Sequence, residues 1–460
     1  MRIVVCVKPT KDGEIGPFEA SAYECALRIS GAEVILLAMA PARSEALLQS
    51  LTRLGAKEAY LLADSAFAGA DTLATTYALS LALKKLSPDL IFCGRQTVEG
   101  DTAQVGVGLA TRMQYALATS VMDAICEDRS VRCTMRGDMT TVLSMPAVLT
   151  FERAFELRRP SLRSKLGVVH IWSAGDIGAD PALCGTKGSP TRVVRAFENE
   201  SGKRKCKMIS KEEFWDCITK AKKATARELD LEKAESGTPL ETVWVYGERA
   251  MEMAYTVCAS PTLKEMTDAH TIAREIRENN IDAVLWDSSP KGKILAATVA
   301  VINSLGLCAD CTRLESDGKT LYMYRPAFGG NVVAKIVSDT RPAMATVRTK
   351  TDSADVILSI GAGAVDARDA IIRAAEACGA EVCSSRAAVN LRTMKYETQV
   401  GLTGKTVAPQ VYVALGISGA VHHIAGIGGA NTVIAVNADP KAPIFEYADY
   451  GIVCDVKELF

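Results

Sequence analysis

Three stretches of this sequence place glycines, hydroxyls and amides where packing alone does not require them. The first, GRQTVEGDTAQVG at 94–106, follows the strand-like run DLIFC and precedes a helical pattern. Glycine at a strand-to-helix junction lets backbone amides approach a phosphate, and the helix N-terminus adds partial positive charge. Thr102 and Gln104 add side-chain donors. The second, QVGLTGKT at 399–406, runs on into VAPQVYVALGISGAVHHIAG, so two glycine turns bracket a buried strand, with the hydroxyls of Thr403 and Ser418 beside them. It ends Gly-Lys-Thr, but the earlier glycine of a Walker-type loop is missing, which argues against an ATPase. In the third, VIAVNADPKAPIFEYADYGIVCD, Asn437 and Asp439 end one strand and Asp455 another. Taken singly these are turn residues; beside the glycine loops they line the carboxyl ends of consecutive strands, where α/β folds bind ligands.

His422 and His423 are adjacent, so on a regular element only one of them faces a given site. Arg386, hydroxyls, amides and one histidine would suit a large phosphorylated ligand with a polar ring system. An acid/base pair or activated nucleophile is missing from this set, which favours redox chemistry or binding over hydrolysis.

The elements that must hold these loops follow from periodicity. Ile3–Val7, Glu33–Met39, Ala59–Leu62 and Leu90–Cys93 are short runs rich in Val, Ile and Leu; Ala20–Ile29, Arg43–Leu54 and Asp71–Leu86 carry apolar residues at helical spacing. This alternation predicts an α/β fold with parallel sheets covered by helices on both faces. Two strand-like stretches in Val131–Glu152, separated by MRGDM, predict an antiparallel excursion. The segment from Gly175 to Gly237, with a charged helical run from Ser210 to Ser236, reads as an arm plus linker. The rhythm resumes at Thr242, with a helix over His270–Asn279 and another after Pro290. From Asp355, VILSIGAGAVDARDAIIRAAEACGAEVCSSR gives strand, glycine turn, helix and strand.

At 460 residues the chain should form about two to four domains. It is 48% hydrophobic and 23% charged with a formal net charge of -1, so nucleic acid and anionic membrane are not its expected partners. No apolar run reaches the roughly 18 residues of a membrane span, the N-terminus lacks a signal-peptide pattern, and the cytoplasm is the expected location. The 14 cysteines are scattered in apolar runs, as reduced core thiols are. Cys308 and Cys311 have Cys-x-x-Cys spacing without a second pair or histidines nearby, and read as structural thiols. With four histidines in the chain, no metal site is expected.

The run SSRAAVN…QVGLTGKTVAPQVYVALGISGAVHHIAG…AVNADPKAPIFEYADYGIVCD closely resembles the flavin-binding domain of electron transfer flavoprotein alpha subunits, and RPAFGGN and ATVR resemble the alpha-type domain before it. IVVCVKPT, GADTLAT, GRQTVEGDTAQVG and RRPSLRS resemble the beta subunit. The resemblance covers most of the chain and implies both subunits fused, beta-type first. It implies an adenine-nucleotide-hydrolase-like fold in the N-terminal half and a Rossmann-like FAD-binding domain at the C-terminus. The implied divisions are a beta-type domain with its arm at 1–205, a linker at 206–238, a shortened alpha-type domain at 239–352 and the FAD-binding domain at 353–460.

Ser385 and Arg386 fall in the motif whose arginine lies over the flavin ring, where a fixed positive charge favours an anionic reduced ring and so one-electron transfer. Thr403 matches the hydroxyl near flavin N5, and Gln399, Val400, Gly401 and Leu402 the backbone around the ring. Gly416, Ser418, Gly419, Ala420, Val421, His422 and His423 match the next loop, with His423 near the pyrimidine. Asn437 and Asp455 match the residues at the adenosine end. Arg386, Thr403 and His423 are thus the residues implied to act on the electron-carrying ring.

In the beta-type half, Cys6 and Met39 match positions meeting the nucleotide, and Gly100, Asp101, Thr102, Ala103, Gln104, Val105 and Gly106 form the phosphate loop. The family holds AMP there in simple carriers and a second FAD in members that bifurcate electrons from NADH; the wording GDTAQVG resembles the latter. Leu162 matches the leucine that docks into acyl-CoA dehydrogenases. Ferredoxin or flavodoxin is the further partner of the bifurcating branch, and the fused chain would be a monomer or homodimer.

Three positions depart from the family. Ser359–Ala364 lacks the arginine of the alpha-type glycine loop, Gly16-Pro17-Phe18 stands for Asn-Pro-Phe, and the alpha-type domain is short between Glu248 and Asp282. The missing arginine keeps a second function class open, a flavin- or nucleotide-binding regulatory protein without electron transfer.

Overall fold

The computed structural model describes residues 1–97, 100–137, 139–198, 203–223, 237–327, 332–348, 354–401 and 404–460. The chain divides into two compact units. Met1–Ala196, Gly237–Phe328 and Ala334–Val347 form the first; Phe197–Ser236, Gly329–Val333 and Arg348–Phe460 form the second.

The first unit holds a nine-stranded sheet arranged around the interior strand Arg2–Cys6. Glu33–Met39, Glu58–Leu62 and Val168–Trp172 extend it in parallel on one side, and Leu90–Gly94, Ala147–Phe151 and Ala116–Glu127 on the other. Ile3 and Val5 pack into one core, Val4 and Cys6 into the other, so this interior strand is apolar on both faces. The three predicted helices are Pro17–Arg28, Glu45–Thr52 and Thr72–Leu86. The last begins where it does because the Asp71 carboxylate accepts from the amides of Leu73 and Ala74 at 2.9 and 3.1 Å.

The antiparallel excursion is present but differently placed. Ser130–Met135 and Thr140–Ser144 pair antiparallel, and Ser130–Met135 pairs antiparallel with Ala116–Glu127. Ala147–Phe151, inside the predicted excursion, has rejoined the parallel sheet, and all five of its residues are buried. Its continuous apolar run is the mark of a strand covered on both faces.

A five-stranded parallel sheet also belongs to this unit, ordered Thr262–Lys264, Val243–Tyr246, Ala283–Asp287, Ala343–Val347 and Leu307–Cys311. Helices Ala269–Glu278 and Pro290–Asn303 cover it. The stretch that reads as shortened holds the four-residue helix Met251–Ala254, the short strand Thr262–Lys264 and the helix Ala269–Glu278.

The second unit is a six-stranded sheet around Val356–Ile360, with Glu381–Ser384 on one side and Val411–Leu415, Thr432–Val436, Tyr450–Ile452 and Lys207–Met208 in turn on the other. The segment read as arm and linker therefore supplies both an edge strand and the helix Phe214–Lys222, which buries Phe214, Cys217, Ile218 and Ala221 in this unit's core. The rest of the charged run, 224–236, lies outside the described residues.

Arg204 fastens the arm. Its side chain is 6% exposed, pairs with Asp449, and donates to the carbonyls of Ala430 at 2.6 Å and Asn431 at 3.1 Å. Truncating one member of a buried, hydrogen-bonded ion pair is strongly destabilising because the partner groups are left unpaired. Arg204→Ala should therefore destabilise the second unit by about 3 kcal/mol. Urea unfolding checks this, and an unchanged midpoint would contradict the pinning role.

Candidate functional site

The strand order reverses beside Val356–Ile360, which is flanked by the next two strands of its sheet, one on each side. Connections on either side then leave for opposite faces, and a crevice opens at the strands' carboxyl ends. Gly361 and Gly416 follow the two strands that border it. A Cβ on Gly361 would lie 2.1 Å from the Gly416 carbonyl oxygen, and Gly416 itself has φ +60, so both positions need glycine. The Gly361 and Gly363 amides donate to the carbonyls of Leu415 and Gly416 at 2.7 and 3.1 Å. Ala362, between Gly361 and Gly363, is exposed.

Around this crevice the structure gathers most of the predicted C-terminal residues. Ser385 is buried and caps the short helix Arg386–Asn390, so Arg386 is that helix's first residue, half-buried. Gln399 bridges to Ser384 and Val400 to Lys405; both Gln399 and Val400 are buried. Gly401 has φ +136, and a Cβ there would meet the His422 carbonyl oxygen at 2.6 Å, which draws the QVG turn onto the His-His turn. Leu402 and Thr403 lie outside the described residues. Ser418 and Ala420 are exposed and Gly419 buried at φ +91, ahead of the single turn Val421–Ile424.

The two histidines separate. His422 is exposed, whereas His423 is buried with Nε2 2.8 Å from the Tyr412 hydroxyl. Its Nδ1 is buried without a hydrogen bond of ordinary geometry among the described residues. Burial pushes the His423 pKa down to about 4, against a smaller opposing pull from the Val400 backbone. The ring is therefore neutral at pH 7.

Asn437 and Asp455 end neighbouring strands, joined by the Asn437 amide donating to Ile452 O at 3.1 Å. The Asn437 side chain donates to Ile417 O at 2.9 Å, tying its strand end to the ligand loop. Asp455 is exposed and accepts from the Lys457 amide at 3.0 Å, as a turn cap does.

The first unit repeats the arrangement. Its nine-stranded sheet reverses beside Arg2–Cys6, and Cys6 is paired in register with Cys93 on the strand that leads into the glycine loop. Asp101 and Ala103 both have positive φ, +53 and +55, an uncommon backbone state for non-glycine residues that recurs at ligand-holding loops. The loop is closed by the Gly100 amide donating to Thr97 Oγ1 at 3.2 Å and by Gln96 donating to Asp101.

A Cβ at Gly106 would lie 2.2 Å from Thr150 Cγ2, so glycine lets the helix Val105–Met113 settle against the sheet. Thr102 stays partly exposed in the loop. Gln104 is buried instead; its side chain accepts from Thr72 Oγ1 at 2.7 Å and reaches Leu307 O at 3.5 Å. Val105 packs against the core and Met39 ends its strand.

The five-stranded sheet reverses too, beside Val243–Tyr246, and there a carboxylate stands against the glycine that follows the strand. A Cβ on Gly247 would meet Asp287 Oδ2 at 2.2 Å, and Asp287 accepts from the Ser289 amide and hydroxyl at 3.1 and 2.5 Å.

Leu162 is 100% exposed. Its segment is anchored at the base by Arg158, which donates to Glu24 from Nε and Nη2 at 2.9 Å each. Burial works against the Glu24 charge, but the hydrogen bonds from Arg158 and Arg28 hold its pKa below the usual carboxylate range.

Sequence reasoning missed Tyr412 and the buried cluster of Glu152 with Arg95 and Arg136, at 2.8 and 2.9 Å. The one signal for Tyr412 was a lone hydroxyl in the buried strand VYVAL. Glu152 stood out only as a charge ending a five-residue apolar strand. Among the described residues no group of three His, Cys, Asp or Glu could hold a metal ion, and no helix is long and apolar enough to cross a membrane.

Comparison with known proteins matches residues 3–175 and 241–385 to the electron transfer flavoprotein domain, and residues 350–428 to the electron transfer flavoprotein FAD-binding domain. Protein FixA of Azorhizobium caulinodans is 36% identical over 248 residues, which is 45% of this chain and 88% of that protein. Caffeyl-CoA reductase-Etf complex subunit CarD of Acetobacterium woodii is 36% identical over 231 residues, covering 43% and 87%. The electron transfer flavoprotein subunit alpha of Thermoanaerobacterium thermosaccharolyticum is 34% identical over 250 residues, covering 44% and 76%.

The lowered pKa of His423 has a consequence for stability. Unfolded, this imidazole takes up a proton near pH 6.5; folded, it resists until about pH 4. Its contribution is fully present above pH 6.5 and declines as pH falls toward 4, by roughly 3 kcal/mol in all. His423→Gln should flatten the fall in urea midpoint between pH 7 and 4.5. Equal slopes for the two proteins would show that the ring is not held neutral.

Proposed function

The chain belongs to the electron transfer flavoprotein family, with a beta-type and an alpha-type half in one polypeptide, and from that premise we propose that it is a self-contained electron carrier with FAD in the C-terminal crevice. The observation that carries this reading is the buried His423, clamped through Nε2 by Tyr412 with Nδ1 unspent, beside a glycine-only strand junction. An orphaned ring nitrogen and backbone too close for any Cβ fit a planar, hydrogen-bonding cofactor laid on a phosphate-binding turn. FAD, when bound, supplies the redox chemistry.

The protein's own residues bind and tune. Gly361, Gly416 and Gly419 let the backbone approach the ligand. Arg386, at the start of its helix, sets a positive charge beside the ring, and Thr403 contributes the family's hydroxyl. Ser385 fixes the turn that carries Arg386 by capping its helix. Asn437 and Asp455 meet the adenosine end.

We assign the N-terminal crevice to a second adenine nucleotide. Cys6, Met39 and the 100–106 loop meet it, and the positive φ of Asp101 and Ala103 supports a loop shaped around a ligand. The wording GDTAQVG favours FAD over AMP at this place, which would make the chain a bifurcating member oxidising NADH, with ferredoxin or flavodoxin as one acceptor. A flavoenzyme of the acyl-CoA dehydrogenase class is the other partner. The exposed Leu162 on its anchored arm supports docking of that kind, as does the name of the Acetobacterium relative, a subunit of a caffeyl-CoA reductase complex.

Acid release of cofactors from the purified chain, followed by chromatographic counting, should give two FAD per chain. One FAD with one AMP would make it a simple one-electron shuttle and remove the NADH reading. A colourless protein that takes up no flavin would remove the carrier reading altogether. Arg386→Ala should make the midpoint potential of the C-terminal flavin more negative by about 60 mV, the one-electron equivalent of a tenfold change in relative affinity for its two oxidation states. Equilibration with a reference dye reads this, and an unshifted potential would place Arg386 away from the ring.

A further inference from the structure

Cys6 and Cys93 face each other in register on the adjacent parallel strands Arg2–Cys6 and Leu90–Gly94. Neighbouring strands lie about 4.8 Å apart, within the Cα separation of about 4.4–6.8 Å that a disulfide spans. Both side chains leave the sheet on the same face, into one core cluster, and both cysteines are free. The pair ends the two strands that border the crevice of the N-terminal half. The Cβ of Cys93 is 3.9 Å from where a Gly106 Cβ would be, so the thiols lie under the first turn of the helix that closes the 100–106 loop. Cys6 is the more open of the two, at 8% exposure against 3%.

We infer that Cys6 and Cys93 form a redox-active dithiol that closes to an intrachain disulfide when a peroxide reaches the empty crevice, and that bound nucleotide holds it open. The second half of this inference rests on the nucleotide reading of that crevice. Cys6, the more open of the two, is the sulfur a peroxide meets first, while the contact with Cys6, and burial after it, push the Cys93 thiol well up.

The Cys6 thiolate attacks one peroxide oxygen, the O–O bond breaks, and the departing hydroxide takes a proton to leave as water. Cys6 is then a sulfenic acid. The Cys93 sulfur displaces its hydroxyl, the S–S bond forms, and the proton lost by Cys93 leaves with the hydroxyl as a second water. Two S–H bonds are exchanged for one S–S bond, and hydrogen peroxide is reduced to two waters.

The test uses the full chain after nucleotide removal, treated with hydrogen peroxide, alkylated with iodoacetamide and mapped as peptides without reduction. A linked pair of peptides containing Cys6 and Cys93 is expected, lighter than the free pair by two hydrogen atoms and separated by dithiothreitol. In Cys93→Ser the oxidation should stop at a Cys6 sulfenic acid trapped by dimedone. Added AMP or FAD, at about ten times its Kd, should slow the linkage about tenfold.

Full alkylation of both cysteines after peroxide, or no dimedone adduct on Cys6 in peroxide-treated Cys93→Ser, overturns the inference. Calorimetry with AMP and FAD on the same preparation separates the two layers. Nucleotide binding without a disulfide overturns the dithiol alone. A disulfide in protein that binds no nucleotide supports the dithiol and overturns both the coupling and the nucleotide reading of the crevice.

Discussion

Where the order of strands in a parallel sheet reverses, the chain leaves two neighbouring strand ends toward opposite faces, and a gap opens between them. Three sheets in this protein contain such a reversal, beside Arg2–Cys6, Val243–Tyr246 and Val356–Ile360. What fills each gap decides what each can do. At Val356–Ile360 the gap is edged by bare backbone, because Gly361 and Gly416 approach too closely for any Cβ. At Arg2–Cys6 it is overhung by a loop with two non-glycine residues in the left-handed region. At Val243–Tyr246 the Asp287 carboxylate stands against Gly247, and a fixed negative charge there repels phosphate. The same topology yields two strand ends edged by backbone loops and one faced by its own carboxylate.

Much of this was legible in the sequence because the governing signals are local. Glu33–Met39 and Leu90–Gly94 follow from apolar runs of strand length, and the helix beginning at Thr72 follows from Asp71 at its cap. The separation of His422 from His423 also follows from a rule, since adjacent residues diverge on any regular element. The rest depended on residues far apart in the chain. Gln104 reads as a phosphate donor in its loop, but Thr72 and the Leu307 carbonyl take its amide, contacts 32 and 203 residues away. Tyr412 is only a β-forming residue until the fold brings it to His423. Ala147–Phe151 could not be assigned to the parallel sheet by alternation, because a strand covered on both faces has none.

The polar groups buried near the crevices share one design. Each has a protein partner on one side and spare hydrogen-bonding capacity on the other. His423 is held by Tyr412 at Nε2 and open at Nδ1. Glu152 holds Arg95 and Arg136, while Arg95 Nη2 is buried with no hydrogen-bond partner among the described residues. Half-satisfied groups lower stability in an apolar core, and native proteins concentrate them where binding or chemistry gives a reason.

The arm from the first half of the chain has a consequence of another kind. Residues 1–196 belong to one unit, yet the edge strand Lys207–Met208 and the helix Phe214–Lys222 that follow belong to the other, pinned through Arg204. In an assembly of separate subunits, loss of such a contact on dilution would be governed by mass action. Here the strand and the sheet it completes are joined by peptide bonds, so their meeting is intramolecular and has no dependence on protein concentration. Translation of one message also delivers the two halves in equal number, leaving no surplus of either half with an unpaired sheet edge.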